Sequence, residues 1–336
     1  MIRYFLLFIF LFLLLACDGD NPTTTDTTTT TQGDPLLAQI ENVSAAIDQD
    51  IDNVELYRQR AALYYDLNSY DNAINDWQTV IEVDGSRPED YHELADVYLD
   101  YFRSREALDI MEMAADKFPK NALTLLKLAE FQMILRKNSA SFRTIDQLLK
   151  QDPQNAEAYF MMGMNFKETG DTARAINSFQ EAVDRNSTLV DAWLQLGDLY
   201  TALGEELALQ YYENAIRVAP QNVAPYHAKA FYLANVVDDL EGAIAVYEEI
   251  NRIDPQYEDA YFNAGLVYLD LGNFEKARQQ FDLTLKFSPT HIRAYFYRGL
   301  ASEFLGNAAA AKQDYEQALR MKPDYELARE QLDGLE

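Results

Sequence analysis

An all-α solenoid of stacked helix pairs is the fold this sequence predicts, and three observations predict it. One spacing of 33 to 35 residues repeats from Tyr57 to Tyr295, two small residues recur in each unit, and prolines fall at a fixed point of the period. Self-similarity at that period means that each unit buries its apolar face only against its neighbours. Composition agrees: 48% of the 336 residues are hydrophobic, and 22 Tyr stand against 13 Gly and 10 Pro, the balance of helices that bury large side chains between small ones.

Each unit carries an aromatic residue or Leu, at Tyr57, Tyr91, Leu125, Tyr159, Trp193, Tyr226, Tyr261 and Tyr295. Four residues on stands a small residue: Ala61, Ala95, Ala129, Gly163, Gly197, Ala230, Gly265 and Gly299. A second small position follows at Ala73, Ala107, Ser141, Ala175, Ala208, Ala243, Ala277 and Ala311, and a large side chain sits four residues beyond each. Small beside large at helical spacing describes two helices per unit whose backbones cross closely at the small sites. Pro119, Pro153, Pro220, Pro255, Pro289 and Pro323 end the second helix of a unit, and Asn121, Asn155 and Asn222 are placed to cap the next. Gly170, Gly204, Gly272 and Gly306, with Asn68, stand where the first helix must turn through a left-handed residue.

Trp193, Leu196, Gly197, Tyr200, Ala208, Tyr212, Ala215 and Pro220 form a pattern that closely resembles the tetratricopeptide repeat. The resemblance covers residues 54 to 325 and implies a right-handed superhelical solenoid of eight helix-turn-helix repeats, at 54–87, 88–121, 122–155, 156–189, 190–222, 223–257, 258–291 and 292–325. Gln132 and Ser141 depart from the pattern in the third repeat, where a softer joint is expected. Two capping helices are expected to hide the ends. The N-terminal one, within 35–53, sets Leu36, Leu37, Ile40, Val43, Ala46 and Ile47 on one face, and the C-terminal one, 326–336, has Ala328 and Leu332 on its inner side.

Ahead of the repeats, residues 1–16 read as a signal peptide: Arg3, then an apolar run from Tyr4 to Ala16 that is short for a bilayer span. Leu14-Leu15-Ala16-Cys17 resembles the lipobox of bacterial lipoproteins and implies acylation of Cys17, the chain's only cysteine. A lone cysteine forms no internal disulfide. Residues 17–34, with eight Thr from Thr23 to Thr31, then serve as a tether spanning roughly 20 to 25 Å. The resemblance implies an anchored envelope protein at the bacterial outer membrane, on its periplasmic or its surface face. Asp18 resembles the inner-membrane retention signal of enteric bacteria and keeps the choice of membrane open.

Lys and Arg number 28 against 55 Asp and Glu, a formal net charge of −27, so the field disfavours nucleic acid and favours basic partners. No nucleophile with a base, no phosphate-binding glycine loop and no set of metal ligands at working spacing stands out, so neither catalysis nor a cofactor is expected. His92, Asp96 and Asp100 suggest at most a weak surface metal site, and a solvated acidic face is the plainer reading.

The resemblance places a concave binding face on the first helix of each pair, at the residues one and five after the repeat aromatic. Those positions change character along the chain. Arg58, Ala62, His92, Asp96, Leu126 and Glu130 make the N-terminal half acidic or mixed, with Glu55, Asp66, Glu89, Glu93 and Asp100 beside them to steer a basic ligand; Phe160, Met164, Phe231, Phe262, Leu266, Phe296 and Leu300 form an apolar strip if nothing covers them. The expected partner is a protein or peptide with apolar and basic segments. The expected role is an anchored scaffold or assembly factor for an outer-membrane pore, secretion system or pilus; the alternative is a subunit that holds a cell-wall synthesis or hydrolysis enzyme.

Overall fold

The computed structural model describes residues 34–335, all organised by helices, with no strand among them. The expected signal peptide, Cys17 and the tether up to residue 33 lie outside the described residues. After α1 (Pro35–Gln49) come α2 (Val54–Asp66) with α3 (Tyr70–Val83), α4 (Pro88–Asp100) with α5 (Ser104–Lys117), and α6 (Ala122–Ile134) with α7 (Asn138–Gln151). The array continues through α8 (Ala156–Glu168) with α9 (Thr172–Arg185), α10 (Val190–Ala202) with α11 (Leu207–Val218), and α12 (Val223–Tyr232) with α13 (Leu240–Ile253). It closes with α14 (Glu258–Asp270) and α15 (Phe274–Phe287), α16 (Ile292–Phe304) and α17 (Ala308–Met321), and α18 (Glu326–Gly334).

Every helix packs on its sequence neighbours, and first helices also touch across repeats, α4 on α6, α6 on α8, α10 on α12 and α14 on α16. First helices therefore form one layer along the array, the architecture of a tetratricopeptide solenoid. The close crossings explain the small residues. A Cβ on Gly197 would lie 2.4 Å from the ring of Tyr212, and one on Gly265 2.6 Å from Phe281. Ala61, Ala95, Ala129, Ala230 and the second-helix Ala73, Ala107, Ala243 and Ala277 are wholly buried.

Asn121, Asn155 and Asn222 cap α6, α8 and α12, each side-chain oxygen accepting a backbone N–H, at 2.8 Å from Thr124 and Ala158 and 3.0 Å from Ala224. The left-handed turn residues include Asn68 and the four expected glycines, and also Phe102, Arg136 and Asp238. In the third repeat, where a softer joint was expected, the polar substitutions are buried and satisfied. Ser141 Oγ donates to the Ala129 carbonyl, and Thr144 Oγ1 to Gln132 Oε1, both at 2.8 Å. The extra residue of the sixth repeat is absorbed by a π-helical turn, Leu233–Val237, at the end of α12.

Both ends carry half a repeat. Shifting α3 back by one 34-residue period gives 36–49, the span of α1, and shifting α16 forward gives 326–338, which α18 begins to fill. Ile40 and Ile47 of α1 and Ala328 of α18 are buried against the array, with Leu332 and Leu335 partly so. No helix among the described residues is long and apolar enough to cross a membrane.

Candidate protein-binding face

The layer of first helices is where side chains from successive repeats converge. At its N-terminal end Arg58 of α2 is held by carboxylates: Nε and Nη2 reach the two oxygens of Asp90 at 2.9 and 2.8 Å, and Asp84 and Glu55 lie 3.3 Å away. That charge is spent inside the protein. Lys127 of α6 likewise donates to both oxygens of Asp96 on α4, at 2.7 and 2.6 Å, and Lys167 of α8 donates to Gln195 on α10.

Around Lys127 the carboxylates outnumber the cation. Glu93 and Glu130 have open surface yet are crowded by protein, and this desolvation pushes their carboxyls, and that of Asp96, above the usual range. Asp96 also raises Glu130, and Asp100 raises Asp96, while Lys127 pulls both Asp96 and Glu130 down. Farther along, Asp191 and Asp198 of α10 are exposed and raised by desolvation too, with Asp198 accepting the Tyr212 hydroxyl at 3.0 Å. Acidic surface thus reaches the fifth repeat, beyond the N-terminal half expected. Glu89 is exposed at the start of α4, and Asp100 at its end accepts a hydrogen bond from the Tyr65 hydroxyl.

His92 is not turned toward Asp96 or Asp100. It is buried, with Nε2 2.8 Å from Thr124 Oγ1, and that hydroxyl donates to Asn121 Oδ1 at 3.0 Å. The threonine must therefore accept, so the imidazole carries a proton on Nε2. Desolvation, with Lys127 second, depresses this histidine to about 4.

The apolar strip needs correcting at two positions. Phe262 and Phe296 are 3% and 5% exposed and belong to the core. Phe262 contacts Phe281 of its own second helix, His291 at the cap of α16 and Tyr297 of the next repeat, with ring centroids 4.5 to 5.9 Å apart. Phe296 packs on Tyr315 and Tyr325 in the same way. The residue after the repeat aromatic points into the joint between repeats, as His92 does toward Thr124. Four residues later the side chain is freer: Phe231 is 50% exposed, and Met164, Leu266 and Leu300 are half-buried, as is Phe160. What stays open is a row of Phe231, Leu266 and Leu300 continuing a row of Asp96, Glu130, Met164 and Asp198. Lys127 and Lys167, which link first helices, escaped the sequence reading; their position two or eight residues after the repeat aromatic was the signal available.

The tetratricopeptide repeat family matches this chain at residues 160–223, 238–296 and 292–325. With the helical pairs and their crossings, those matches define a tetratricopeptide repeat protein, and the chain belongs to that family. Among curated proteins it is similar to the human protein O-mannosyl-transferase TMTC3, 25% identical over 240 residues, covering 70% of this chain and 26% of that protein. It is also similar to the Hsp70-Hsp90 organizing protein of Triticum aestivum, 22% identical over 256 residues, covering 74% of this chain and 37% of that one. The chain spans well under half the length of these relatives. The C-terminal part of a TPR repeat-containing protein from Cytophaga hutchinsonii shares the fold, with a TM-score of 0.59 at 18% identity, covering 72% of this chain and 98% of that one.

Proposed function

We propose that the protein is a lipid-anchored interaction scaffold, acylated on Cys17 at the envelope of a bacterial cell and serving the assembly of an envelope complex such as an outer-membrane pore, secretion system or pilus. The observation that carries the binding role is the continuous first-helix layer, whose open side chains pass from Glu93, Asp96 and Glu130 through Asp198 to Phe231, Leu266 and Leu300. Such a surface suits a partner segment with a basic stretch beside an apolar one: carboxylates steer the encounter, and burial of large side chains holds it. The Hsp70-Hsp90 organizing protein supports protein binding as the class of role. The anchoring half of the reading rests on the lipobox resemblance and the unique cysteine.

The test has two arms in the native host. A photo-crosslinker at Phe231 should capture an envelope protein that the same probe at Gln256, on an inter-repeat loop, does not. Labelled fatty acid should enter the wild type and not Cys17→Ala. Crosslinks to wall synthases or hydrolases instead of assembly components would replace the scaffold role, and equal labelling of the mutant would remove the anchor.

A further inference from the structure

The turns inside the repeats differ in one place. Each passes through a single left-handed residue, and in the first, fourth, fifth, seventh and eighth repeats it is Asn or Gly. The second and third repeats use Phe102 and Arg136, at φ of 60° and 55°, a conformation that glycine takes freely and bulky side chains take at a cost. Phe102 gains nothing by packing, being 94% exposed. Beside it Tyr101 stacks on Tyr70 of the preceding turn at 5.3 Å, so consecutive turns share an edge, and Ile134 on the next turn is 42% exposed.

The third-repeat turn holds the exposed cations Arg136 and Lys137 and the start of α5 holds Arg105, none with a carboxylate within 4.0 Å among the described residues, while Arg103 pairs with Glu106 at 2.9 Å. Later turns carry Asp171, Glu205, Glu206, Asp238 and Asp239 there. An exposed phenylalanine next to Tyr101 in the chain, with unpaired cations close by in sequence and on the following turn, is the chemistry of a surface that meets lipid headgroups.

We propose that this edge, formed by Phe102, Arg105, Arg136 and Lys137, seats on the surface of an anionic bilayer and fixes how the array stands on its membrane. The inference deepens the anchored reading and rests on it only for proximity. The net charge of −27 does not prevent the contact, because charges more than about 8 Å away are screened at physiological salt. The acidic remainder is repelled by the same headgroups, so the cationic edge is the side that approaches.

The full chain with Cys17→Ser has no thiol, so Ser139→Cys in that background gives one site for an environment-sensitive dye beside Lys137. Vesicles of phosphatidylcholine with phosphatidylglycerol should shift its emission to the blue; phosphatidylcholine alone, or 0.5 M salt (~4 Å screening length), should not. The same dye at Gln256→Cys should stay unshifted. Phe102→Gly should raise thermal stability and yet weaken the shift. Reversing Arg105, Arg136 and Lys137 to Glu should lower apparent vesicle affinity by more than about fivefold per residue, since removing each cation alone is worth about that much. These changes are made without lipidation, so failed acylation of Cys17 in cells would not imitate a negative result here. No shift with anionic vesicles, an equal shift at both dye positions, or a shift unaffected by charge reversal would overturn the proposal; a shift produced only by an acidic protein would move the edge to a protein partner and overturn it too.

Discussion

Arg298 forks onto Asp314, with Nε to Oδ2 at 2.9 Å and Nη2 to Oδ1 at 2.6 Å, and Arg60 forks onto Asp76 at the same register in the first repeat, both contacts at 2.7 Å. Between them the equivalent first-helix position is Leu94, Leu128, Met162, Leu196 and Ala264, with Lys229 in the sixth repeat. Each cation also reaches back to the second helix of the preceding unit: Arg60 to Ser44, Lys229 to Glu213 and Arg298 to Asp282. Charge-assisted bonds thus tie three consecutive helices where the array begins and ends, places with fewer neighbours to supply apolar burial.

Asp314→Ala is expected to cost on the order of 2 to 3 kcal/mol, because Arg298 would keep only the half-open Asp282 as a partner. Arg298→Leu with Asp314→Leu should cost less, since it leaves no charge unpaired and gives the apolar pair that Leu94 and Ile110 form at these positions of the second repeat. A double-mutant cycle in urea, read on the transition that reports the C-terminal repeats, should give coupling above about 1 kcal/mol. Additive single effects would show the fork to be inert.

Period, helix pairing and crossing sites were legible because they depend on side-chain size at fixed spacing. Gly197 against Tyr212 is such a case. Burial of Phe262 and Phe296 was not legible, because the repeat pattern names the face a residue starts from and says nothing of the neighbouring ring it leans on. Phe102 was hidden for another reason: the turn demands a left-handed residue, and nothing local announces that a phenylalanine will accept it. The acidic half could be read from composition along the first helices, but the seating of Lys127 on Asp96 needs the distance between two repeats.

Gly265→Ala should destabilise the seventh repeat by about 1 to 3 kcal/mol, because the new Cβ would lie 2.6 Å from the wholly buried ring of Phe281. Adding Phe281→Leu should recover part of that loss by opening the crossing. Thermal or urea unfolding decides it: an unchanged Gly265→Ala would mean that the helices can separate at no cost.

His92 gives the array a pH dependence of known sign. Its pKa falls from 6.5 to about 4 on folding, so the folded state binds fewer protons in that window. The stability this provides is complete above the unfolded value and is lost as pH drops from 6.5 toward 4, up to on the order of 3 kcal/mol. Glu93, Asp96 and Glu130, whose carboxyls are raised, act oppositely, since their folded forms take up protons at higher pH than the unfolded chain does and so gain stability as pH falls. His92→Gln should therefore flatten or invert the stability profile between pH 6.5 and 4. A profile of unchanged slope would assign the dependence to other groups.

The last expectation separates the fold from the binding face. Phe262→Glu places a carboxylate among Phe281, His291 and Tyr297, where it has no water, so it should cost several kcal/mol and unfold the C-terminal repeats before any partner is tested. Phe231 has half its surface open, so Phe231→Glu should keep the helical circular dichroism signal and the urea midpoint nearly unchanged. If the first-helix layer binds an apolar segment, the captured partner's affinity should fall by tenfold or more in that variant, about 1.4 kcal/mol. Asp198→Lys should act mainly on the association rate and on its dependence on salt, because an exposed carboxylate steers the approach and holds little once the complex has formed. A folded Phe231→Glu, Leu300→Glu double variant with undiminished capture would place the contact elsewhere than this layer.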